Sequence, residues 1–243
     1  MTKDVLVIVP TFNESESIAA LLARLDKVRD SLSDHYHIEI LVVDDNSPDK
    51  TAEIARSLNL KNLWVLSQKS KSGLGPAYIA GFKQGLIGNF QYFVEMDADL
   101  SHLPEQLSDL LAVASERDLV IGTRWMSGGK VVNWPIGRRI LSKLGTKYAA
   151  FILNLPYKDL TSGYRVLPRQ LLMKIDLDQI QTRGYGFQVE IALKAIQSGF
   201  NIREVPITFV ERENGRSKMG LAIVWEAWWM ITKRGLLRIL NNR

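Results

Sequence analysis

Alternating strand and helix signals place this chain in the α/β class, with a mostly parallel sheet flanked by helices. Through the first half, short β-branched runs alternate with segments whose apolar residues recur at helical spacing. The densest polar clusters stand just after those runs, where the strands of an open α/β sheet end. The composition agrees: 243 residues, 46% hydrophobic and 23% charged, suit one ordinary core and exclude disordered, collagen-like and coiled-coil chains.

Residues 5–9 (Val-Leu-Val-Ile-Val) are the first strand. Residues 14–28 are a helix, with Ile18, Leu21, Leu22 and Leu25 on one face. Residues 38–43 are a second strand, running into Asp44-Asp45-Asn46-Ser47-Pro48-Asp49. A short helix over 51–58 and a third strand over 63–66 follow. The turn Gly73-Leu74-Gly75 opens a helix over 76–86. Residues 90–96 are a fourth strand, ending in Asp97-Ala98-Asp99. Residues 104–115 are a helix with Pro104 in its first turn, where no amide donor is lost. Residues 119–121 are a fifth strand.

The second half is less regular. Residues 124–134 are a Gly-rich loop and 136–153 a basic helix. Residues 188–197 are a helix, 202–210 a strand, 211–218 a polar loop and 221–240 a Trp-rich amphipathic helix. No repeat, low-complexity stretch or linker interrupts the pattern. Residues 1–218 therefore read as one domain, with 219–243 as a C-terminal amphipathic helix belonging to it.

The charge of +5 is unevenly laid out. Residues 1–120 hold 11 Lys/Arg against 18 Asp/Glu, and residues 121–150 hold 6 against none. Basic blocks of this kind face a polyanion: nucleic acid, an anionic membrane or a phosphorylated substrate. With no cysteine, a disulfide scaffold, a thiolate metal site and a Cys nucleophile are excluded. Three histidines leave little material for a His-rich zinc site. The start meets Pro10 too soon for a secretory leader, and no apolar run of about 20 residues predicts a membrane span.

Ligands of an open parallel sheet bind beyond the carboxyl ends of its strands. Pro10-Thr11-Phe12-Asn13-Glu14, Asp44-Asp45 and Asp97-Ala98-Asp99 follow strands one, two and four, so they converge on one rim. Five carboxylates there repel one another unless a cation stands between them. Asp97 and Asp99, two residues apart, can aim at one point, and hard oxygen ligands suit Mg²⁺ or Mn²⁺ bridging phosphate oxygens. These residues predict a metal-dependent site for a nucleoside diphosphate. The glycine-rich dinucleotide fingerprint is absent after strand one, as is the Walker A pattern.

Those three clusters resemble the inverting GT-A glycosyltransferases of family 2. Gly122-Thr123-Arg124-Trp125, Asn133-Trp134-Pro135 and Asp159-Leu160-Thr161-Ser162-Gly163-Tyr164-Arg165 narrow the likeness. So do Gly184-Tyr185-Gly186-Phe187-Gln188-Val189-Glu190 and Arg212-Glu213-Asn214-Gly215-Arg216-Ser217-Lys218. Together they resemble the polyprenol-phosphate (dolichol-phosphate) mannose synthases, from about residue 5 to 220. Two departures are visible: Leu103 stands where Pro is expected before Pro104, and Lys50 where Gly is usual.

The resemblance implies a GT-A fold and residue roles. Pro10, Thr11 and Glu14 would line the nucleoside pocket, with Asp44 near the base or ribose and Asp45 and Ala98 also on the nucleotide sugar. Asp97 and Asp99 would hold the Mg²⁺ or Mn²⁺, with Gln188 as a further ligand. Arg124, Arg212 and Lys218 would bind phosphates and, with Asp99, serve catalysis. Ser162 and Arg165 would sit by the acceptor phosphate. His102 stands next to the acidic turn, either at the site or in a structural role.

The implied reaction is mannose transfer from GDP-mannose to polyprenyl (dolichyl) phosphate with inversion. The acceptor phosphate is already ionised near neutral pH, so no strong base is needed. A lipid acceptor requires contact with a bilayer. The basic helix over 136–153 and Trp225, Trp228, Trp229, Lys233, Arg234 and Arg238 predict peripheral attachment to an anionic membrane, on its cytoplasmic face. UDP-glucose or another sugar nucleotide is the alternative donor. Two other classes are set aside. A receiver-like module would carry its acidic pair after strand one, and a nucleic-acid-binding module would not pair its basic blocks with an acidic half.

Overall fold

Strand β1 (Lys3–Thr11) is the spine of the sheet, because it is apolar on both faces. The computed structural model describes residues 2–180, 182, 184, 186–212, 229, 231 and 232. On one side β1 pairs in parallel with β2 (Tyr36–Asp44), which pairs in parallel with β3 (Leu63–Ser67). On the other side it pairs in parallel with β4 (Tyr92–Glu95). Beyond β4 come β7 (Arg165–Pro168), β5 (Asp118–Thr123) and β8 (Asn201–Pro206), in the order β3-β2-β1-β4-β7-β5-β8. A second, two-stranded parallel ribbon joins β6 (Lys130–Val132) to β9 (Thr208–Val210).

Side-chain alternation divides the core into two layers. Val5, Val7 and Val9 of β1 pack with Ile18, Leu21, Leu22 and Leu25 of α1 (Ile18–Ser31), Ala55 of α2 (Thr51–Ser57), and Leu107, Leu110 and Leu111 of α4 (Leu107–Ala112). Leu6 and Ile8 face the opposite layer. There α3 (Leu74–Ile87), α5 (Ile136–Leu153), α6 (Arg169–Lys174) and α7 (Gly186–Gln197) supply Tyr78, Phe82, Ala149, Leu171 and Phe187. Helix α3 lies close on the sheet because glycines face it. A Cβ on Gly85 would stand 2.4 Å from Leu6 Cδ2 and 2.5 Å from Phe93 Cε1.

Several boundaries differ from the pattern-based reading. Residues 14–17 form the turn before α1, closed by Ser17 N–H donating to the Glu14 carbonyl. The helix read over 104–115 begins as a 3₁₀ turn at Pro104–Gln106 and is helical only to Ala112. The loop over 124–134 contains β6, and the strand over 202–210 is two strands in different sheets, β8 and β9. Pro206 lacks an amide donor and ends β8, so the chain crosses from one sheet to the other at Ile207. Strand β7 and helix α6 were not anticipated. The helix read over 221–240 lies outside the described residues except for Trp229, Ile231 and Thr232, which are helical. Among the described residues no helix is long and apolar enough to cross a membrane.

The reversed direction of β7 matters for function. It runs antiparallel to both β4 and β5, with Arg165 opposite Glu95 and Ile121. The start of β7 therefore lies where its neighbours end. This carries residues 159–165 onto the same rim as the loops after β1, β2, β4 and β5.

Candidate active site

The rim is assembled from short loops whose polar side chains are bonded to one another. Thr11, at the end of β1, stands opposite Asp44 in register and donates its hydroxyl to Asp44 Oδ1 at 2.9 Å. Ser47 closes the turn after β2: its amide donates to Asp44 Oδ2 at 2.9 Å and its hydroxyl to Oδ1 at 2.6 Å. Asp45 points the other way. Ser72 N–H and Oγ–H and Gly73 N–H donate to its carboxylate at 2.8–2.9 Å, which fastens β2 to the start of α3. Both aspartates order the loops at this end of the rim.

Beside them lies an open cleft of about 470 Å³ lined by Asn13, Glu14, Ser15, Glu16, Ser17, Pro48 and Asp49. Asp49 shapes its wall by accepting from Ser15 N–H and from the Thr51 hydroxyl. Burial works against the Asp49 carboxylate, and the bonds from Thr51 and Ser15 outweigh it, so its pKa falls below the usual range. Pro10 is buried within β1 and is not among the residues that line this cleft.

After β4 the chain turns sharply at Asp97-Ala98-Asp99. Leu100 adopts a left-handed conformation, φ 63°, which costs a branched residue energy and is held by Ser101 N–H donating to Asp99 Oδ1 at 3.0 Å. Asp99 also faces a cation: Arg212 Nη2 lies 3.0 Å from its Oδ2. Burial, and then the neighbouring Asp99 charge, push Asp97 up to about 7. The Asp97 side chain is nonetheless 32% exposed, so solvent reaches it. Ala98 is buried in the core layer of α1, and its side chain contributes packing alone.

His102 is a supporting residue. It accepts a hydrogen bond at Nδ1 from the Asp97 amide, 3.2 Å, so Nδ1 carries no proton. Burial pushes its pKa down to about 4. It stacks on Tyr164 and meets the edge of Phe209. A point one Cβ out from Gly163 lies 3.5 Å from Asp97 Oδ1, 3.5 Å from His102 Cε1 and 3.6 Å from Gln188 Nε2. These are ordinary contact distances, so a Cβ would fit at 163, between the acidic turn on one side and buried Gln188 on the other.

Two of the arginines are occupied inside the protein. Arg165 is fully buried, and its guanidinium donates to the carbonyls of Ser162, Gln188 and Leu160 at 2.6–2.7 Å, with Glu95 at 3.8 Å. It ties the 159–165 loop to the start of α7, so the expectation of a direct phosphate contact is corrected to a positioning role. Burial pushes Glu95 up to about 7, with Arg165 opposing. Ser162 is likewise buried at 2% exposure. Arg124 makes a two-pronged pair with Asp159, Nε–Oδ2 2.7 Å and Nη2–Oδ1 2.8 Å. Its guanidinium stands among the rings of Trp125, Trp134 and Phe209. Arg212 does reach the acidic turn. Lys218 lies outside the described residues.

Asp159 stands in a motif quoted from the sequence but was given no role there, and the Trp134–Phe209 contact was missed. A signal existed for Asp159: it is the one carboxylate between Asp118 and Asp176, in the most basic stretch of the chain. A buried arginine nearby needs such a partner.

A sheet of this order, with an Asp-X-Asp turn beyond its central strand and a cleft on the same rim, defines a GT-A glycosyltransferase. The chain belongs to glycosyl transferase family 2, whose model matches residues 6–176. It is 48% identical to an undecaprenyl-phosphate mannosyltransferase of Micrococcus luteus over 96% of this chain and 94% of that one. It is 44% identical to a polyprenol monophosphomannose synthase of Mycolicibacterium smegmatis over 97% and 88%. Among solved structures, it resembles glucosyl-3-phosphoglycerate synthase from Mycobacterium tuberculosis, crystallised with Mn²⁺, UDP and phosphoglyceric acid. That likeness has a TM-score of 0.71 and 18% identity over 96% of this chain and 78% of that chain, and it concerns the fold.

Proposed function

We propose that this chain moves mannose from GDP-mannose onto polyprenyl (dolichyl) phosphate with inversion, giving a β-linked polyprenyl phosphate mannose. The observation that carries this reading is 48% and 44% identity, over nearly the whole chain, to relatives named for mannosyl transfer to such lipids. The rim supports it by bringing the cleft and the acidic turn together.

The donor set fits a divalent ion, Mg²⁺ or Mn²⁺. Asp97 and Asp99 are hard oxygen ligands, and Asp99 already faces a cation in Arg212. Among the described residues no three His, Asp or Glu side chains stand close enough to cage an ion. One or two carboxylates, completed by phosphate oxygens and water, is how Mg²⁺ is ordinarily held on a nucleotide. Asp97 and Asp99 would hold it, with Gln188 as a further ligand. When bound, such an ion neutralises charge on the departing diphosphate.

An oxygen of the acceptor phosphate attacks the anomeric carbon. The bond from that carbon to the nucleoside diphosphate breaks, and the electron pair leaves with the diphosphate. A phosphate monoester loses its second proton at pH about 6, so it attacks as a dianion without a base. The buried, neutral His102 agrees with that economy. Thr11, Glu14 and Pro10 border the nucleoside, with Asp44 and Asp45 ordering the walls. Arg212 would meet the phosphates from beside the acidic turn, and Lys218 would bind them as a further cation. Arg124, Ser162 and Arg165 hold the loop against which the acceptor seats.

Helix α5 supports attachment to an anionic bilayer. Ile136, Ile140, Leu141, Leu144 and Phe151 are exposed on it, among Arg139, Lys143 and Lys147. An amphipathic helix with apolar residues and cations outward lies in a membrane interface. Residues 1–218 act as the transferase domain and 219–243 as a membrane-associating segment, on the cytoplasmic face. No nucleic acid is involved. The alternative is the same transfer from UDP-glucose or another sugar nucleotide.

A donor screen tests the reading. The protein, Mg²⁺ or Mn²⁺, a polyprenyl phosphate and labelled GDP-mannose, UDP-glucose or other sugar nucleotides are mixed, and lipid-linked sugar is extracted. Label from GDP-mannose alone is the expected result, with loss of transfer in chelator. The Asp99→Ala variant should fold and transfer nothing. No label from any donor overturns the proposal, and label from UDP-glucose alone replaces the donor.

A further inference from the structure

Helix α5 and the acidic turn are joined by two lines of contact, and both run through the β6–β9 ribbon. The first is polar. Arg138 on α5 forms an ion pair with Glu211. Glu211 continues the ribbon by donating its N–H to Val132 O at 3.0 Å. Its two neighbours grip the acidic turn. Val210 N–H donates to Ser101 O at 3.0 Å, and Arg212 pairs with Asp99. Adjacent residues of extended chain point to opposite sides, so Glu211 is held by the helix while Arg212 is held by the carboxylate.

The second line is aromatic. The Arg138 guanidinium sits 4.3 Å from the centre of the Trp134 ring, and Trp134 meets Phe209 at 5.3 Å. Phe209 meets His102 at 5.3 Å, and His102 accepts the Asp97 amide. The helix is also fastened to the ribbon itself, since Arg139 donates to Val131 O at 2.7 Å. A shift of α5 thus carries the ribbon, and the ribbon carries both sides of the acidic turn.

We propose that the β6–β9 ribbon couples the seating of α5 on a lipid surface to the nucleotide-binding acidic turn, with Glu211 as the positioning residue. The proposal rests on the bilayer contact of α5 described above. Its physical content is a reciprocal free energy. If vesicles tighten nucleotide binding by a factor, nucleotide must tighten vesicle binding by the same factor. Exposed apolar residues on α5 give the lipid its hold, and the charge pair, with both side chains about one-fifth exposed, transmits the change.

The test reads binding and not turnover. The affinity of GDP and of UDP, each with Mg²⁺, is measured with and without phosphatidylglycerol vesicles. Vesicle affinity is then measured with and without nucleotide. The wild-type protein should show one common factor of about fivefold or more in both directions. Glu211→Gln should bring that factor close to one, with unchanged melting temperature. Exchanging the pair, Arg138→Glu with Glu211→Arg, should recover part of it, which a merely structural defect does not allow. A Glu211→Gln protein that keeps the wild-type factor overturns the proposal, and so does a wild-type protein that shows no coupling or does not bind vesicles. If the donor screen finds no transfer while this coupling holds, the function reading fails and the ribbon's role stands.

Discussion

Replacing Asp159 by Ala should destabilise this protein more than most single substitutions. Asp159 is fully buried, and Arg124 is 9% exposed. The carboxylate accepts from the Arg124 backbone amide, Nε and Nη2 and from the Thr161 hydroxyl at 2.7–3.2 Å. Removing it takes three of these bonds from Arg124, whose guanidinium is walled by three aromatic rings. Breaking one partner of a buried pair costs about 3–5 kcal/mol. That is a large share of a stability of about 5–15 kcal/mol. For a chain of this size each kcal/mol moves Tm by about 2–4 °C, so Tm should fall by about 6–20 °C.

The assay is thermal and urea unfolding followed by far-UV circular dichroism. Asp159→Asn, which keeps shape and one acceptor oxygen, should fall between wild type and Ala. The pair Arg124→Met with Asp159→Leu should recover most of the loss, because the cost of desolvating both charges is removed along with their attraction. A Tm for Asp159→Ala within about 2 °C of wild type would refute the reasoning, since it means the arginine finds water or another anion. The same result would return Arg124 to the list of phosphate ligands.

Three other outcomes follow from particular contacts. Gly85→Ala should cost about 1–3 kcal/mol in urea unfolding, because its Cβ would overlap Leu6 and Phe93. Lys50→Gly should raise stability by about 0.5–1 kcal/mol: Lys50 has φ 64° at the start of α2, a conformation that glycine adopts without strain. Ile140→Asp with Leu144→Asp, both on the exposed face of α5, should weaken sedimentation with anionic vesicles at least about tenfold. Undiminished sedimentation would remove α5 from the bilayer contact.

Much of the site was legible because it stands at strand ends. Val5 to Val9 could only be a buried strand, so the polar residues that follow had to emerge at its carboxyl end. The same held for the runs before Asp44 and before Asp97. Lys50 was visible as a departure from a family's usual glycine, and its positive φ supplies the reason that glycine is usual there. Residues 165–168 gave weaker signals. Strand β7 is four residues long and fully buried, so it shows no alternation, and its direction is set by the strands on either side.

What the sequence determined by itself is the local order: an α/β chain, its parallel core, and the acidic residues that cap its strands. Period and turn chemistry act between near neighbours, so they can be read without coordinates. What only the tertiary structure decided is how the charges are used. Arg124, Arg165 and Arg212 look alike along the chain. One is bound to Asp159, 35 positions away, one to three carbonyls, and one to the acidic turn. Which cation faces a ligand depends on which anions and dipoles surround it after burial, and those are brought together only when β7 inserts between β4 and β5.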